Sequence, residues 1–223
     1  LPKVEAWQRH LLAVNPACRI EAHARGLDRN DGPWLEGLLS GADLVCVGTT
    51  SVEANLLIGR ACALLPRRML VGPASSGAWV VSTFTHDGGP TLEQACGLDT
   101  GGQELADIDY AAAAPRFQAL AWYPGRARKL APGVRQALSE GQLAARSCKI
   151  FVSLANAAMA FEAVKNVAEM NGLPLAGTRV VAMPLFHVFD PYSGCAYYYN
   201  VLTREIGIPD WLTGETRWSP PRP

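Results

Sequence analysis

The sequence lacks the signatures of several large protein classes. Its charges cancel, with 20 Lys and Arg residues against 20 Asp and Glu residues, so no net field favours nucleic acid. No apolar run approaches the roughly 18 residues that a membrane-spanning helix needs. The six cysteines form no CxxC pair, which argues against a zinc ribbon and against a disulfide-rich secreted scaffold. We therefore predict a cytoplasmic protein that binds neither DNA nor a membrane.

Several catalytic motifs are also missing. No GxGxxG precedes the first helix, so the chain lacks the loop that brings backbone close to a pyrophosphate. This absence counts most heavily against an NAD-dependent oxidoreductase. No GxSxG is present, which argues against Ser75 or Ser76 as a hydrolase nucleophile. The four histidines show no metal-ligand spacing.

What the chain does contain is enough apolar sequence for a buried core. Hydrophobic residues make up 49% of 223 residues, which suits one α/β domain. A helix is predicted from Lys3 to Asn15, with a core-facing stripe that includes Val4, Trp7 and Leu11. Alternation over Arg19–Arg25 predicts a strand.

Helices then alternate with short apolar runs. Leu44–Val47 and Met69–Val71 are typical of buried parallel strands, and Ser51 caps the helix between them. Three more strands are predicted, over Ala78–His86, Val180–Phe189 and Cys195–Val201, and the tail from Ile208 is predicted to be a loop. A further helix is predicted before the last two strands, and its apolar face consists of Leu154, Ala157, Phe161, Val164 and Ala168.

This order predicts an α/β fold, a Rossmann-like three-layer sandwich. Its sheet is expected to be mostly parallel and to continue through antiparallel strands near the C-terminus. We divide the chain into a partial nucleotide-binding half (1–87), an irregular insert or crossover (88–147), and a C-terminal helix with strands and tail that complete the sheet (148–223).

Four segments together resemble one family. KVEAWQRHLLAVNP (Lys3–Pro16) and ADLVCVGTTSVEANLLIGRAC (Ala42–Cys62) are similar to the middle of the ThiF/MoeB/HesA family of ubiquitin-activating-enzyme-like adenylyltransferases. SLANAAMAFEAVKNV (Ser153–Val167) and FHVFDPYSG (Phe186–Gly194) resemble its C-terminal helix and strand. The insert looks most like that of nitroreductase-associated members or of tRNA threonylcarbamoyladenosine dehydratases.

The resemblance implies an enzyme that binds ATP and Mg and transfers AMP to a carboxylate, such as that of a small carrier protein or peptide. It also implies a homodimer or heterodimer. Lys3 matches a lysine that contacts the nucleotide phosphates, and Thr49 and Thr50 end the strand at which ligands of such sheets bind. The family has an aspartate that helps to hold Mg-ATP where Thr50 stands, and a threonine supplies no negative charge. An earlier acidic position holds Val47.

This departure leaves three interpretations open. The chain is a fragment of a longer enzyme from which the phosphate loop is missing, or it is a degenerate, non-catalytic partner of an active subunit. Alternatively, the likeness is a general one between α/β folds. We expect the chain to bind ATP weakly or not at all.

Two further sequence features bear on function. Cys96 occupies a segment where members of the family carry a reactive cysteine, but no neighbour in sequence would lower its pKa, so an inert thiol is favoured. The strip Tyr197–Tyr199 is expected to alternate across a strand and to mark a dimer contact.

Overall fold

The computed structural model describes residues 1–49, 51–72, 74–75, 78–98, 100, 102–104, 107–113, 150–173, 179–190, 195–210, 213 and 215–220. In these ranges the helices are α1 (Lys3–Val14), α2 (Gly32–Leu39), α3 (Val52–Leu64), α4 (Leu92–Ala95) and α5 (Ile150–Met170). The strands are β1 (Leu44–Val47), β2 (Arg68–Val71), β3 (Ala74–Ser75), β4 (Ala78–Phe84), β5 (Leu185–Asp190), β6 (Cys195–Asn200), β7 (Ile206–Pro209) and β8 (Thr216–Ser219).

The strands form one mixed sheet, so the fold class is α/β. Their order is β1-β2-β4-β5-β6-β7-β8, with β3 paired to β4. β1 and β2 are parallel, whereas every other ladder between the described strands is antiparallel. The predicted, mostly parallel sheet is therefore not confirmed. The segment between β2 and β4 is too short for the crossover that a parallel neighbour requires, so the chain turns back.

Helices cover both faces of this sheet. Met69 and Val71 of β2 belong to the same buried cluster as the apolar residues of α3. The alternate positions of the strand contact α5, because Arg68 donates to Asn166 Oδ1 at 3.3 Å and a Cβ on Gly72 would lie 2.8 Å from the sulfur of Met159. Since side chains alternate between the faces of a strand, α3 and α5 lie on opposite sides.

The N-terminal helix forms where the sequence predicts it, but its predicted packing is wrong. No residue of α1 is buried, and Trp7 is 61% exposed. Residues 18–28 form neither helix nor strand and pair with no described strand, so the strand predicted over Arg19–Arg25 is also wrong. A hydrogen bond from Gln8 Nε2 to the carbonyl of Ile20, at 2.7 Å, joins this segment to α1. Periodicity shows that a face is apolar, but it does not show what covers that face.

The predicted C-terminal helix is present as α5. Gly172 follows it with φ of 67°, and the N–H of the next residue, Leu173, donates to the carbonyl of Ala168 at 2.8 Å. This left-handed glycine is the usual end of a helix. The orientation of α5 is the reverse of what its apolar pattern suggests, because Phe161 and Val164 are exposed.

The tail is a strand pair rather than the predicted loop. β7 pairs with β6 and with β8, and the N–H of Asp210 donates to the carbonyl of Glu215 at 2.7 Å beyond the ladder. A Cβ on Gly207 would lie 2.7 Å from Thr216 Cγ2 and 2.8 Å from the ring of Trp218. The glycine therefore makes room for these two side chains, a contact that tail composition does not reveal.

Gly207→Ala is expected to lower the free energy of unfolding by about 1–3 kcal/mol, because the added methyl overpacks a β-branched neighbour and a ring. Urea denaturation monitored by circular dichroism measures the loss. Gly37→Ala is the matched control, since a Cβ at that position in α2 meets nothing within 4 Å. Its effect is expected to be neutral or stabilising by up to about 1 kcal/mol. Equal losses in the two variants would contradict the packing argument.

None of the described helices combines the length and the apolar character needed to cross a bilayer.

Candidate functional site

A side chain in the first turn of α3 holds the loop after β1 in place. Asn55 is 2% exposed, and its Nδ2 donates to the carbonyl of Thr49 at 3.0 Å and to that of Ser51 at 2.6 Å. Thr49 Oγ1 accepts from the N–H of Ser51 at 3.1 Å. Thr50, the other threonine predicted for this site, lies outside the described residues. The buried amide of Asn55 thus fixes the path of the backbone at the carboxyl end of β1.

The same loop caps α3. Ser51 Oγ accepts from the N–H of Ala54 at 3.2 Å, as the sequence predicts for an N-cap. The first N–H groups of a helix carry partial positive charge. The amino end of this 13-residue helix therefore faces the region where β1 ends.

A cavity of about 440 Å³ adjoins this loop. One wall comes from Arg25, Gly26 and Leu27, in the irregular segment before α2, and the other comes from β1, its following loop and α3. Its lining residues are Arg25, Gly26, Leu27, Cys46, Val47, Gly48, Thr49, Ser51, Ala54 and Ile58. Among these described residues there is one cation, Arg25, and no carboxylate.

The guanidinium of Arg25 is oriented by two neighbours. It lies 4.4 Å from the ring centroid of Trp34 and forms an ion pair with Asp31. Asp31 is 6% exposed and also accepts from the N–H of Asp28 at 2.9 Å. Stacking and pairing hold an arginine fork in place, and such a fork recognises phosphate or carboxylate groups.

The other carboxylate near this loop is engaged elsewhere. Glu53 Oε1 accepts from the backbone N–H of Arg29 at 3.0 Å and from its Nε at 3.3 Å. Among the described residues, no group of three His, Cys, Asp or Glu side chains could hold a metal ion. The described lining holds one cation, which is paired with Asp31, and no carboxylate, so it lacks the negatively charged oxygen ligands that Mg²⁺ prefers.

Lys3 lies apart from this cavity. It lines a smaller hollow of about 310 Å³ on α1, together with Ala6, Trp7 and His10. The described lining of the larger cavity includes Thr49 but not Lys3, so the structure does not bring these two predicted site residues together.

Sequence reasoning missed Arg25 and Trp34. Arg25 falls at the end of a segment that the sequence predicts to be a strand, and no motif singles out Trp34. Arg25 and Trp34 meet because the loop that contains Asp28 and Asp31 turns the chain back onto itself. The spacing of residues in the sequence does not predict that turn.

The surroundings of Cys96 agree with the prediction of an inert thiol. The residue is 8% exposed, and burial, together with the charge of Glu93, raises its pKa to about 12. A thiol with that pKa stays protonated at neutral pH and is a poor nucleophile.

The tyrosine strip alternates as predicted, but its members do not form an exposed contact surface. Tyr197 and Tyr199 are each 8% exposed and belong to the core cluster on the α3 side. Tyr198 points to the opposite face, where its ring lies 5.4 Å from that of His187. The burial of two of the three rings removes the basis for the predicted dimer contact.

No protein-family model matches this sequence, and no curated protein matches it. A solved structure does. It is described as the crystal structure of SeMet PaaA, and it superposes with a TM-score of 0.53 at 15% sequence identity. The match covers 89% of this chain and 55% of the PaaA chain, so this chain spans little more than half of that protein. At such low identity, the likeness shows a shared fold and nothing about activity.

Proposed function

We propose that this chain is a ThiF-type adenylyltransferase domain whose nucleotide site is incomplete. The observation that carries the proposal is the cavity at the carboxyl end of β1. It lies beside a parallel strand pair and the amino end of α3, where open α/β sheets bind nucleotides. The family itself is proposed from the sequence resemblance alone.

The groups around the cavity support binding of phosphate. Arg25 supplies a charged fork, α3 supplies partly positive N–H groups, and Thr49 lies on the loop between them. Charged hydrogen bonds of this kind contribute about 1.5–3 kcal/mol each. These residues can hold the phosphates of ATP, and the reaction proposed is activation of a carboxylate as its acyl-adenylate.

The magnesium that the family requires does not fit the described residues. The lining contains no carboxylate, Asp31 is paired with Arg25, and Glu53 is paired with Arg29. We therefore derive no catalytic step through a metal here. This deficit favours a second candidate function, a non-catalytic ThiF-like subunit that acts as the interaction partner of an active enzyme.

Isothermal titration of the 223-residue chain with ATP tests the site. Weak binding is expected, with a Kd of about 1 mM or above, and added Mg²⁺ is expected not to tighten it. Arg25→Ala is expected to weaken the residual binding by about tenfold, because a charged hydrogen bond to phosphate is lost. Arg204→Ala, at an exposed turn, is the control and should leave binding unchanged.

Tight, Mg-dependent binding would contradict the incomplete site, and equal effects of the two arginine variants would contradict the assignment of Arg25. A pull-down separates the two candidate functions. Stable association with a full-length paralogue whose activity does not change when this chain carries Lys3→Ala favours the non-catalytic subunit.

A further inference from the structure

The turn that follows β4, residues 85–90, holds a histidine in an unfavourable backbone conformation. His86 has a φ of 59°, in the left-handed region that residues other than glycine rarely adopt. Such a conformation costs on the order of 1–2 kcal/mol and persists only where the surrounding contacts hold it. Gly88 also has a positive φ, of 102°, but a glycine adopts it without steric cost. The strained residue of this turn is therefore His86.

The ring of His86 packs against the core. Its centroid lies 6.4 Å from that of Phe84, with 26° between the ring planes, and Phe84 is fully buried. Although the residue as a whole is partly exposed, its Nε2 atom is buried and has no hydrogen-bond partner among the described residues. An imidazolium ion would place a charged N–H donor at that position, without water and without an acceptor. The closed turn therefore favours the neutral ring.

The charges around the turn do not reverse this preference. Burial lowers the pKa of His86 below its ordinary 6.5, and this effect outweighs the attraction of the adjacent Asp87 carboxylate. That carboxylate is exposed to water, accepts a hydrogen bond from the hydroxyl of Thr85, and is the group on which the charge of Arg68 acts. Residues 181–183, which lie next to the turn, carry no titratable side chain.

We propose that residues 85–90 form an acid-sensitive turn, which opens when His86 takes up a proton from solvent. In the open turn, the ring leaves Phe84, Nε2 donates to water, and the backbone of His86 returns to a negative φ. Opening thus removes the backbone strain and the unpartnered nitrogen together, and no covalent bond changes. The turn would act as a pH-sensitive element of the fold, independently of whether the chain binds ATP.

The segment before β5 is the part of the structure that opening would loosen. A Cβ on Gly89 would lie 3.7 Å from the carbonyl oxygen of Met183, so the turn packs against this segment. Immediately before the turn, the N–H of Thr83 donates to the carbonyl of Val181 at 2.8 Å, and the N–H of Met183 donates to the carbonyl of Thr83 at 2.9 Å. These two hydrogen bonds therefore report on the state of the turn.

Proton linkage sets the size of the expected effect. In the open turn the imidazole is solvated and titrates near 6.5, whereas in the closed turn it titrates at a lower pH. The closed turn is therefore fully stabilised above about pH 6.5 and loses that stability as the pH falls. Between pH 7.5 and pH 5.5, the equilibrium constant for opening is expected to rise by about 3–10-fold.

Hydrogen exchange of the full chain at these two pH values tests the proposal, after correction for the intrinsic exchange rates. The N–H groups of Thr83 and Met183 are expected to lose about 3–10-fold in protection, whereas those of the β1–β2 ladder keep theirs. His86→Asn is the matched variant, because asparagine tolerates the left-handed region and does not titrate in this range. His86→Gly is a second one. In both variants the change is expected to be less than about twofold.

An NMR titration of the histidine rings in the unmodified chain identifies the group that takes up the proton. The ring signal that is missing from His86→Asn and His86→Gly is expected to titrate below pH 6.5. A midpoint at or above pH 6.5 would overturn the proposal, as would an equal loss of protection in the unmodified chain and in both variants. A loss spread evenly over the reporters and the β1–β2 ladder would show global unfolding, which also contradicts a local opening.

Discussion

Glu162→Ala is expected to lower the free energy of unfolding by about 3–5 kcal/mol, since it leaves the charge of Lys165 buried without its partner. The two side chains are 4% and 8% exposed, and Nζ lies 2.5 Å from Oε1. Glu162 Oε2 also accepts from the N–H of Val181 at 3.4 Å, and Lys165 Nζ donates to the carbonyl of Arg179 at 2.6 Å. The pair therefore fastens the segment before β5 to α5.

Urea unfolding with a comparison of m-values measures this effect. Glu169→Ala is the control on the same helix, because its pair with Arg68 is 47% exposed on the glutamate side. Exposed pairs contribute about 0–1 kcal/mol, so the control should lose little. Similar losses of unfolding free energy in both variants would contradict the argument that burial of the Glu162–Lys165 pair determines its contribution to stability.

Arg60→Ala is the second substitution with a large expected effect, a loss of about 3 kcal/mol in the free energy of unfolding. Arg60 Nη2 lies 2.7 Å from Glu93 Oε1, and Nε lies 3.3 Å from Oε2, so the fork binds both oxygens. It also donates to the carbonyls of Thr100 at 2.8 Å and Gln103 at 2.5 Å. Without Arg60, the Glu93 carboxylate, which is 10% exposed, loses its ion-pair partner. The carbonyl groups of Thr100 and Gln103 also lose a hydrogen-bond donor. Thermal and urea unfolding measure the loss.

Arg29→Ala is the matched control for Arg60→Ala. Arg29 pairs with Glu53, but the two side chains are 42% and 29% exposed. The expected loss is below about 1 kcal/mol. A loss as large as that of Arg60→Ala would show that solvent exposure does not separate the two pairs.

The pH dependence of unfolding gives an independent measurement of the Arg60–Glu93 pair. Burial by itself raises the pKa of Glu93, but hydrogen bonds from Arg60 and Thr100 outweigh it and hold the pKa below its ordinary 4.5. Because the pKa is lower in the folded state, this stabilisation is complete above about pH 4.5 and is lost as the pH falls through the folded-state value. Arg60→Ala should therefore flatten the acid limb of the stability curve. An unchanged acid limb would contradict the assignment.

The two sides of α5 differ in what they bury. Glu162 and Lys165 face the protein and join α5 to the segment before β5 through charges, whereas Phe161 and Val164 on the other side are exposed. The attachment of this helix therefore depends on a buried ion pair as well as on apolar contacts.

Several features of the fold follow from local sequence. Ser51 and the apolar run after it predict α3 together with its cap, since an N-cap side chain bonds to the backbone three residues on. Gly172 predicts the end of α5, since a glycine reaches positive φ without steric cost. Each of these depends only on residues within one or two turns of the chain.

The candidate site is predicted only in part, because its residues come from distant segments. The loop at Thr49 is anticipated from the position where β1 ends, and the structure places it beside a cavity. Arg25 enters the cavity from a different segment, and Lys3 lies on the surface of α1. Long-range contacts of this kind depend on how elements pack, which periodicity does not encode.

Local sequence predicts α1, α3 and α5, the cap of α3, the glycine that ends α5, and an α/β fold, but it does not predict α4. Three features depend on how distant elements pack: which side of each helix is covered, the antiparallel pairing of β4 with β2, and the contact of Arg25 with Trp34 and Asp31. The two groups of features differ in the sequence separation of the residues that determine them. Capping, turns and amphipathic spacing act over a few residues, whereas burial is set by elements far away in sequence, and it was their arrangement that turned the charges of α5 inward.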